Sequence, residues 1–299
     1  MKIASFYGIR QWEKFKYLQD CVGELLPSKL GDCSYFPYDQ YSIQNRWRDV
    51  QEGFDIAYWD YGTFREKPIL YNKRPAKFVY SIFLERRKKH IFEFIEKNRP
   101  DFVGCLQHVP SDLVTFGKKY NCVVEFFPWW LRDWKIVSEN KSVLAMCTGC
   151  VNKSYPKRTN LFNYLKSLNR NDIIISGQPE WDIKKLSYLD YYIALAKSKF
   201  YFTAGIRDIE LPQKVLEVCQ QGCCLVCFPI PYLKECGFVN GIHYTELNSL
   251  EEIPEILDRQ DWEVIGNNAQ KLVEKYHTVY NRRDRILQLY KERYGEVFI

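Results

Sequence analysis

Short apolar runs alternate with segments of helical period along most of this chain. "KIASFY" near the start reads as a strand, and residues 11–26 as the helix behind it. "FDIAYWDYG" (54–62) is a second apolar strand ending in a glycine turn. Over 76–98, "AKFVYSIFLERRKKHIFEFIEKN", the residues Phe78, Ile82 and Phe83 and then Ile91, Phe92 and Ile95 recur at helical spacing; Pro100 ends the pattern, so a helix is expected. "DFVGCLQ" (101–107) and "NCVVEFFP" (121–128) read as strands with a helix between them. The polar stretch 131–142, after Pro128 and two tryptophans, is the expected linker. Beyond it the alternation is cleaner: strand "VLAMCTG", loop "CVNKSYPKR", helix "TNLFNYLKSL", strand "DIIISG", helix "LDYYIALAKSK" and strand "FYFTAG". A further helix and the strand "CCLVCF" follow, and three helical segments close the chain. Strands alternating with helices imply parallel βαβ units, hence an α/β protein.

A length of 299 residues suits two domains. The expected division is 1–135, 143–275 and a C-terminal helix over 276–299. Hydrophobic residues at 46% and charged ones at 27% describe an ordinary globular protein. The N-terminus lacks the apolar segment of a signal peptide, and no apolar run is long enough to cross a membrane, so a soluble cytoplasmic protein, resting on a membrane at most, is expected. A net charge of +6 permits a polyanionic partner without demanding one. Eleven cysteines then read as free thiols in a reducing compartment. Cys147/Cys150 and Cys224/Cys227 are C-x-x-C pairs, but both fall in apolar runs rather than on knuckle turns, which argues against zinc.

The stretch "LPQKVLEVCQQGCC" carries the candidate chemistry. Pro212 suits a helix start and Gly222 a helix end, giving a helix of about ten residues between two strands. Lys214 and Glu217 share a face by their i,i+3 spacing. A lysine near a helix N-terminus can hold phosphate, and a carboxylate one turn later can accept from vicinal hydroxyls such as a ribose. From the stretch alone, a solvated surface ion pair explains the same residues.

The C-terminal half resembles the nucleotide-sugar-binding half of GT-B glycosyltransferases, in particular the small group-1-like enzymes of spore-coat and capsule type. The resemblance lies in "TGCVNKSYPKRTNLFNYL" (148–165), "YYIALAKSKFYFTAG" (191–205), "KVLEVCQQGCCLV" (214–226), "LKECGFVNGIHY" (233–244) and "NNAQKLVEKYHTVYNRRDRIL" (267–287), in family order. "REKP" (65–68), "NRPDFVGC" (98–105) and "FFPWW" (126–130) extend it loosely into the N-terminal half. It implies two Rossmann-like domains facing a cleft, and transfer of sugar from a nucleotide-diphosphate sugar to an acceptor hydroxyl. Glu217 would bind the ribose, Lys214 would lie near the phosphates, and the Thr148–Gly149 turn would let the pyrophosphate approach the backbone. Arg158 is either a second phosphate group or a solvated arginine. Gly205 and Arg207 would face the donor sugar and Tyr244 the base; His277 reads as structural. Many retaining members carry E-x7-E, whereas Glu210 and Glu217 are separated by six residues and position 209 is Ile, so the stereochemistry stays open. The chain has no Asp-x-Asp, so neither a metal nor a cofactor is expected.

An inverting reaction needs a general base. His108 and Asp112, in "CLQHVPSD", and Asp60, in "YWDYG", follow strands and are the candidates. A glycan is the leading acceptor. Residues 65–99 hold eleven Lys/Arg against four Glu, interleaved with aromatics, so a DNA-modifying transferase acting on hydroxymethylated bases is the alternative, unless the basic run is a solvated helix face. A non-catalytic nucleotide- or nucleic-acid-binding module would keep Gly149, Lys214 and Glu217 without a base.

Overall fold

The structure is a computed structural model that describes residues 2–8, 31–38, 54–60, 76–83, 88–106, 108–131, 135–136, 140–149, 151, 155–176, 188–205 and 211–295. It divides into two compact units, 1–128 with 279–299, and 129–278.

Unit 1 is built on six parallel strands: β1 (Lys2–Gly8), β2 (Asp32–Tyr38), β3 (Ile56–Asp60), β4 (Phe78–Phe83), β5 (Phe102–Cys105) and β6 (Val123–Phe126), in the order β2-β1-β3-β4-β5-β6. Helices α1 (Lys88–Asn98) and α2 (Ser111–Lys119) pack on it through Ile91, Phe94, Ile95 and Leu113 against Val79 and Val103. Gly117 of α2 lies so near β6 that an added Cβ would stand 2.4 Å from Val124 Cγ2. The single helix expected over 76–98 is instead a strand followed by a helix. Phe78, Val79, Tyr80, Ser81 and Ile82 are all buried, so β4 is covered on both faces and shows no polar alternation to betray it. Strand β2 was not expected either; its sequence contains Pro37, which an edge strand tolerates. The helix expected over 11–26 lies outside the described residues.

Unit 2 repeats the plan more compactly. Its elements are β7 (Val143–Thr148), α3 (Pro156–Ser167), β8 (Ile173–Ser176), α4 (Tyr188–Lys197), β9 (Ser198–Thr203), α5 (Lys214–Gln220), β10 (Cys224–Cys227), β11 (Thr245–Glu246), a 3-10 turn (Leu250–Glu252), α6 (Ile253–Leu257) and α7 (Trp262–Tyr276). The strands pair in parallel in the order β11-β10-β9-β7-β8, with Phe200, Phe202, Leu161, Phe162 and Ile265 in the core. Helix α7 closes on the turn after α5 at Gly266, where a Cβ would meet the Gly222 carbonyl oxygen at 2.5 Å. The described part of 131–142 is fastened to this unit. Leu131 N donates to His277 O, Lys135 pairs with Glu274 at 2.7 Å, and Lys141 Nζ donates to Gln221 O at 2.7 Å.

The last helix, α8 (Val279–Tyr294), belongs to unit 1. Tyr290 packs on Phe78 with ring centroids 5.8 Å apart. Arg282 Nε donates to Pro128 O at 2.7 Å, and Arg285 grips Glu125 with two hydrogen bonds of 2.9 and 2.6 Å. Arg293 meets the fully buried carboxylate of Asp101 at 2.6 Å. That carboxylate also accepts the Val79 N–H at 2.7 Å and the Tyr294 hydroxyl at 3.2 Å.

Candidate functional site

The strand order of unit 2 reverses between β7 and β9, since β8 lies on one side of β7 while β9, β10 and β11 extend from the other. Loops leaving two such strands part in opposite directions, and the crevice between their carboxyl ends is where open parallel sheets take ligands. Thr148 and Gly149 leave β7 there, and Ala204 and Gly205 leave β9.

Five of the residues singled out in the sequence come together at this point. Lys214 Nζ donates to both the Thr148 carbonyl and Oγ1, each at 2.8 Å. Arg158, two residues after Pro156 in the first turn of α3, is buried rather than solvated. Its Nη2 donates to Ala204 O at 3.1 Å, and its guanidinium stands 4.9 Å from the centroid of the Tyr155 ring. Gly149 adopts φ +132°, open to glycine and strained for other residues. A Cβ built on it would lie 3.2 Å from Lys214 Nζ and 3.3 Å from Arg158 Nη1, so two cations converge on the space its missing side chain leaves. Glu217, one turn along α5, is buried and accepts the Tyr191 hydroxyl at 3.2 Å.

Two tyrosines of the site were not foreseen. The Tyr201 hydroxyl, on β9, lies 2.8 Å from Thr148 Oγ1, and Tyr191, on α4, holds Glu217. The Lys214 ammonium stands 5.7 Å from the Tyr191 ring centroid and 5.8 Å from that of Tyr201. Only their position in "YYIALAKSKFYFTAG", between a resembling helix and strand, hinted at them.

Burial pushes the Lys214 ammonium down to about 8, with repulsion from Arg158 adding to it and attraction to Glu217 opposing it. Burial raises Cys147, beneath Gly149, to about 12, so it stays a neutral thiol. Burial likewise raises Tyr191 and Tyr201, which remain protonated hydroxyls. The positive charge here comes from side chains, not from a helix end. Helix α5 begins at Lys214 and runs seven residues, shorter than expected, and the N–H groups of Val215, Leu216 and Glu217 already donate to Pro212 and Gln213 carbonyls.

The other candidates stand apart. Tyr244 enters β11, with β9 and β10 between it and β7; it donates to Glu246 Oε2 at 3.3 Å, and burial raises it to about 12. Arg207 lies outside the described residues. In unit 1, Asp60 ends β3, His108 lies in the loop after β5, and Asp112 is exposed in the first turn of α2; only the backbone of Asp60 is described. His277 is buried, with Nε2 2.8 Å from Cys236 O. Of the C-x-x-C residues, Cys147, Cys224 and Cys227 are buried and free, while Cys150 lies outside the described residues. Only parts of the basic stretch 65–99 are described. There Lys97 pairs with Glu93, and Arg99 stacks 3.8 Å from the centroid of the Tyr120 ring.

No protein-family model matches the sequence, and no curated protein matches it. Solved structures do match the fold. The GtfA/B complex aligns with a TM-score of 0.56 at 12% identity, over 84% of this chain and 59% of that one. TarM aligns at 0.54 and 10% identity, over 79% and 54%. This chain thus spans under two thirds of the length of either. HepE of Anabaena, solved with UDP and glucose, aligns at 0.58 and 11% identity over 98% of this chain and 100% of its own. With two parallel doubly wound sheets and these neighbours, the chain has the GT-B fold of glycosyltransferases.

Proposed function

We propose that this chain is a glycosyltransferase that moves a sugar from a nucleotide-diphosphate sugar to an acceptor hydroxyl, with a glycan as the acceptor. The observation that carries the reading is the pair of cations, Lys214 and Arg158, converging at 3.2 and 3.3 Å on the space left by Gly149 at the switch point of unit 2. A diphosphate seated there gains two charge-assisted contacts and an unobstructed backbone. Glu217 offers carboxylate oxygens to the ribose hydroxyls. As the glycosidic bond to phosphate breaks, negative charge accumulates on the leaving diphosphate. Fixed cations aimed at that charge stabilise it in place of a metal ion. HepE, solved with UDP and glucose, is one neighbour matched over nearly the whole of both chains, which favours a uridine donor. The acceptor hydroxyl needs a base, and His108, Asp60 and Asp112 of unit 1 are the proposed candidates.

A thermal-shift screen against UDP, GDP, ADP, CMP and TDP with their sugar conjugates, run in EDTA and again with Mg²⁺, tests the reading. Binding to the folded state alone raises the melting temperature by mass action. A rise with one nucleoside diphosphate in EDTA is expected. No rise with any of them leaves the fold without this donor site.

A further inference from the structure

We propose that Tyr201 is a positioning residue whose hydroxyl fixes Thr148 and, through Thr148, aims the Lys214 ammonium at the space beside Gly149. The proposal deepens the donor-site reading and rests on it for the identity of the ligand, but its geometry stands on unit 2 alone.

Four polar groups form a chain whose three links are each 2.8 Å: Tyr201 hydroxyl to Thr148 Oγ1, Thr148 Oγ1 to Lys214 Nζ, and Lys214 Nζ to the Thr148 carbonyl. The Tyr201 hydroxyl also reaches that same carbonyl at 3.4 Å. An ammonium has three donors. Two are held by the oxygens of one residue, and the third has no protein acceptor among the described residues. The nitrogen stands 3.2 Å from the Gly149 Cβ position. Thr148 can act as a fixed bracket only if its own side chain is fixed, and a threonine hydroxyl rotates freely unless bound. Tyr201 supplies that bond from a fully buried position at the centre of the sheet. A long lysine aimed in advance loses little side-chain freedom when an anion arrives.

The groups around the ammonium make its titration a direct readout. They are Arg158 from α3, Cys147 from β7, Glu217 from α5 itself, and the phenols of Tyr191 from α4 and Tyr201 from β9. Glu217 favours the charged form through its formal charge, and the two oxygens of Thr148 favour it through hydrogen bonds. Removing the Tyr201 hydroxyl loosens the bracket and makes the ammonium easier to deprotonate. The ring, and with it the packing, stays.

The experiment is a titration of the Lys214 ε-carbon by NMR in the ligand-free full chain, with selectively labelled lysine, for wild type, Tyr201→Phe, Thr148→Val and Thr148→Ser. Calorimetric binding of UDP at pH 7.5 accompanies it. In Tyr201→Phe and Thr148→Val the Lys214 midpoint falls by roughly half a pH unit or more. UDP affinity weakens about fivefold in both, the scale of one hydrogen bond. Thr148→Ser, which keeps the hydroxyl, restores both. An unchanged Lys214 midpoint in Tyr201→Phe overturns the positioning role, whatever UDP does, and leaves Tyr201 as packing. Should that variant fold poorly, Thr148→Val against Thr148→Ser decides the same point. A midpoint that moves while wild type fails to bind UDP keeps the role of Tyr201 and removes UDP as the ligand it serves.

Discussion

Glu217 keeps a carboxylate only 8% exposed, and the Tyr191 hydroxyl occupies one side of it. Replacing it with alanine removes a buried acceptor and leaves the Tyr191 hydroxyl to find another partner, a loss of about 1–2 kcal/mol that a folded domain absorbs. Glu217→Ala is therefore expected to melt as a folded protein yet lose at least tenfold in nucleotide-sugar affinity, measured by calorimetry. Retained full affinity would remove Glu217 from the site. Lys214 gives the pH dependence. Its charge disappears as pH rises through about 8, so UDP affinity should begin to weaken there, whereas an ordinary lysine would hold its charge to about 10.5. The stability effect has the opposite sign. Between about 8 and 10.5 the unfolded chain binds the proton that the folded chain has released, so folding becomes more favourable with rising pH across that window. The wild type should gain on the order of 3 kcal/mol relative to Lys214→Met as pH rises through it, read from denaturant titrations of both proteins. At this scale the sequence was partly legible. Lys214, Glu217, Gly149 and Arg158 could be picked out because each belongs to a local pattern of turn, helix start or spacing. Tyr201 could not, because its importance is a hydroxyl contact with a residue 53 positions away, which no local pattern encodes.

At the scale of elements, the most consequential contact is the one between α8 and the start of β5. Asp101 has no exposed side-chain surface, and Arg293, 192 positions further along the chain, reaches it because α8 returns to unit 1. Arg293→Ala strands a buried carboxylate, for which a loss of about 3–5 kcal/mol is usual. The Val79 N–H and the Tyr294 hydroxyl still bond to Asp101, so a loss near about 3 kcal/mol is expected from urea unfolding. An exposed-pair value of under about 1 kcal/mol would show that water reaches Asp101 in the variant. Elements also show why reading the chain by periodicity succeeded in one half and faltered in the other. From β7 to β10 the strands are short and, except where α4 runs straight into β9, bounded by Gly, Pro or a polar stretch, so strand and helix separate more cleanly. In 76–98 neither Gly nor Pro stands between β4 and α1, and the polar run Glu85–His90 fits one face of a continuous helix as well as it fits a break. Phe78 and Ile82, buried in a strand covered on both faces, satisfy a helical period equally well.

At the scale of the whole molecule, unit 2 contains its complete sheet and the helices that cover it, whereas unit 1 is divided between the two ends of the chain. Residues 129–278 expressed alone should therefore fold cooperatively and, if the donor reading is right, bind UDP with affinity close to that of the full chain. Residues 1–128 alone lack α8, and with it Arg293, Arg285 and Tyr290, which meet Asp101, Glu125 and Phe78. They should melt earlier than the same segment does within the full chain, as followed by circular dichroism. A well-folded 1–128 would mean that α8 adds little to the stability of unit 1.

The same arrangement bears on the order of events at the ribosome. Domains tend to fold as they emerge, from the N-terminus onward. Here that order is inverted for one unit. By the time residue 278 has left the exit tunnel, every strand and helix of unit 2 is available, yet unit 1, begun first, still waits for a helix not yet released. The nascent N-terminal sheet spends the whole synthesis of 129–278 with Asp101 unneutralised and Phe78 uncovered by Tyr290. Slowing translation past residue 278 lengthens that exposure for the early half of this chain, not the late one.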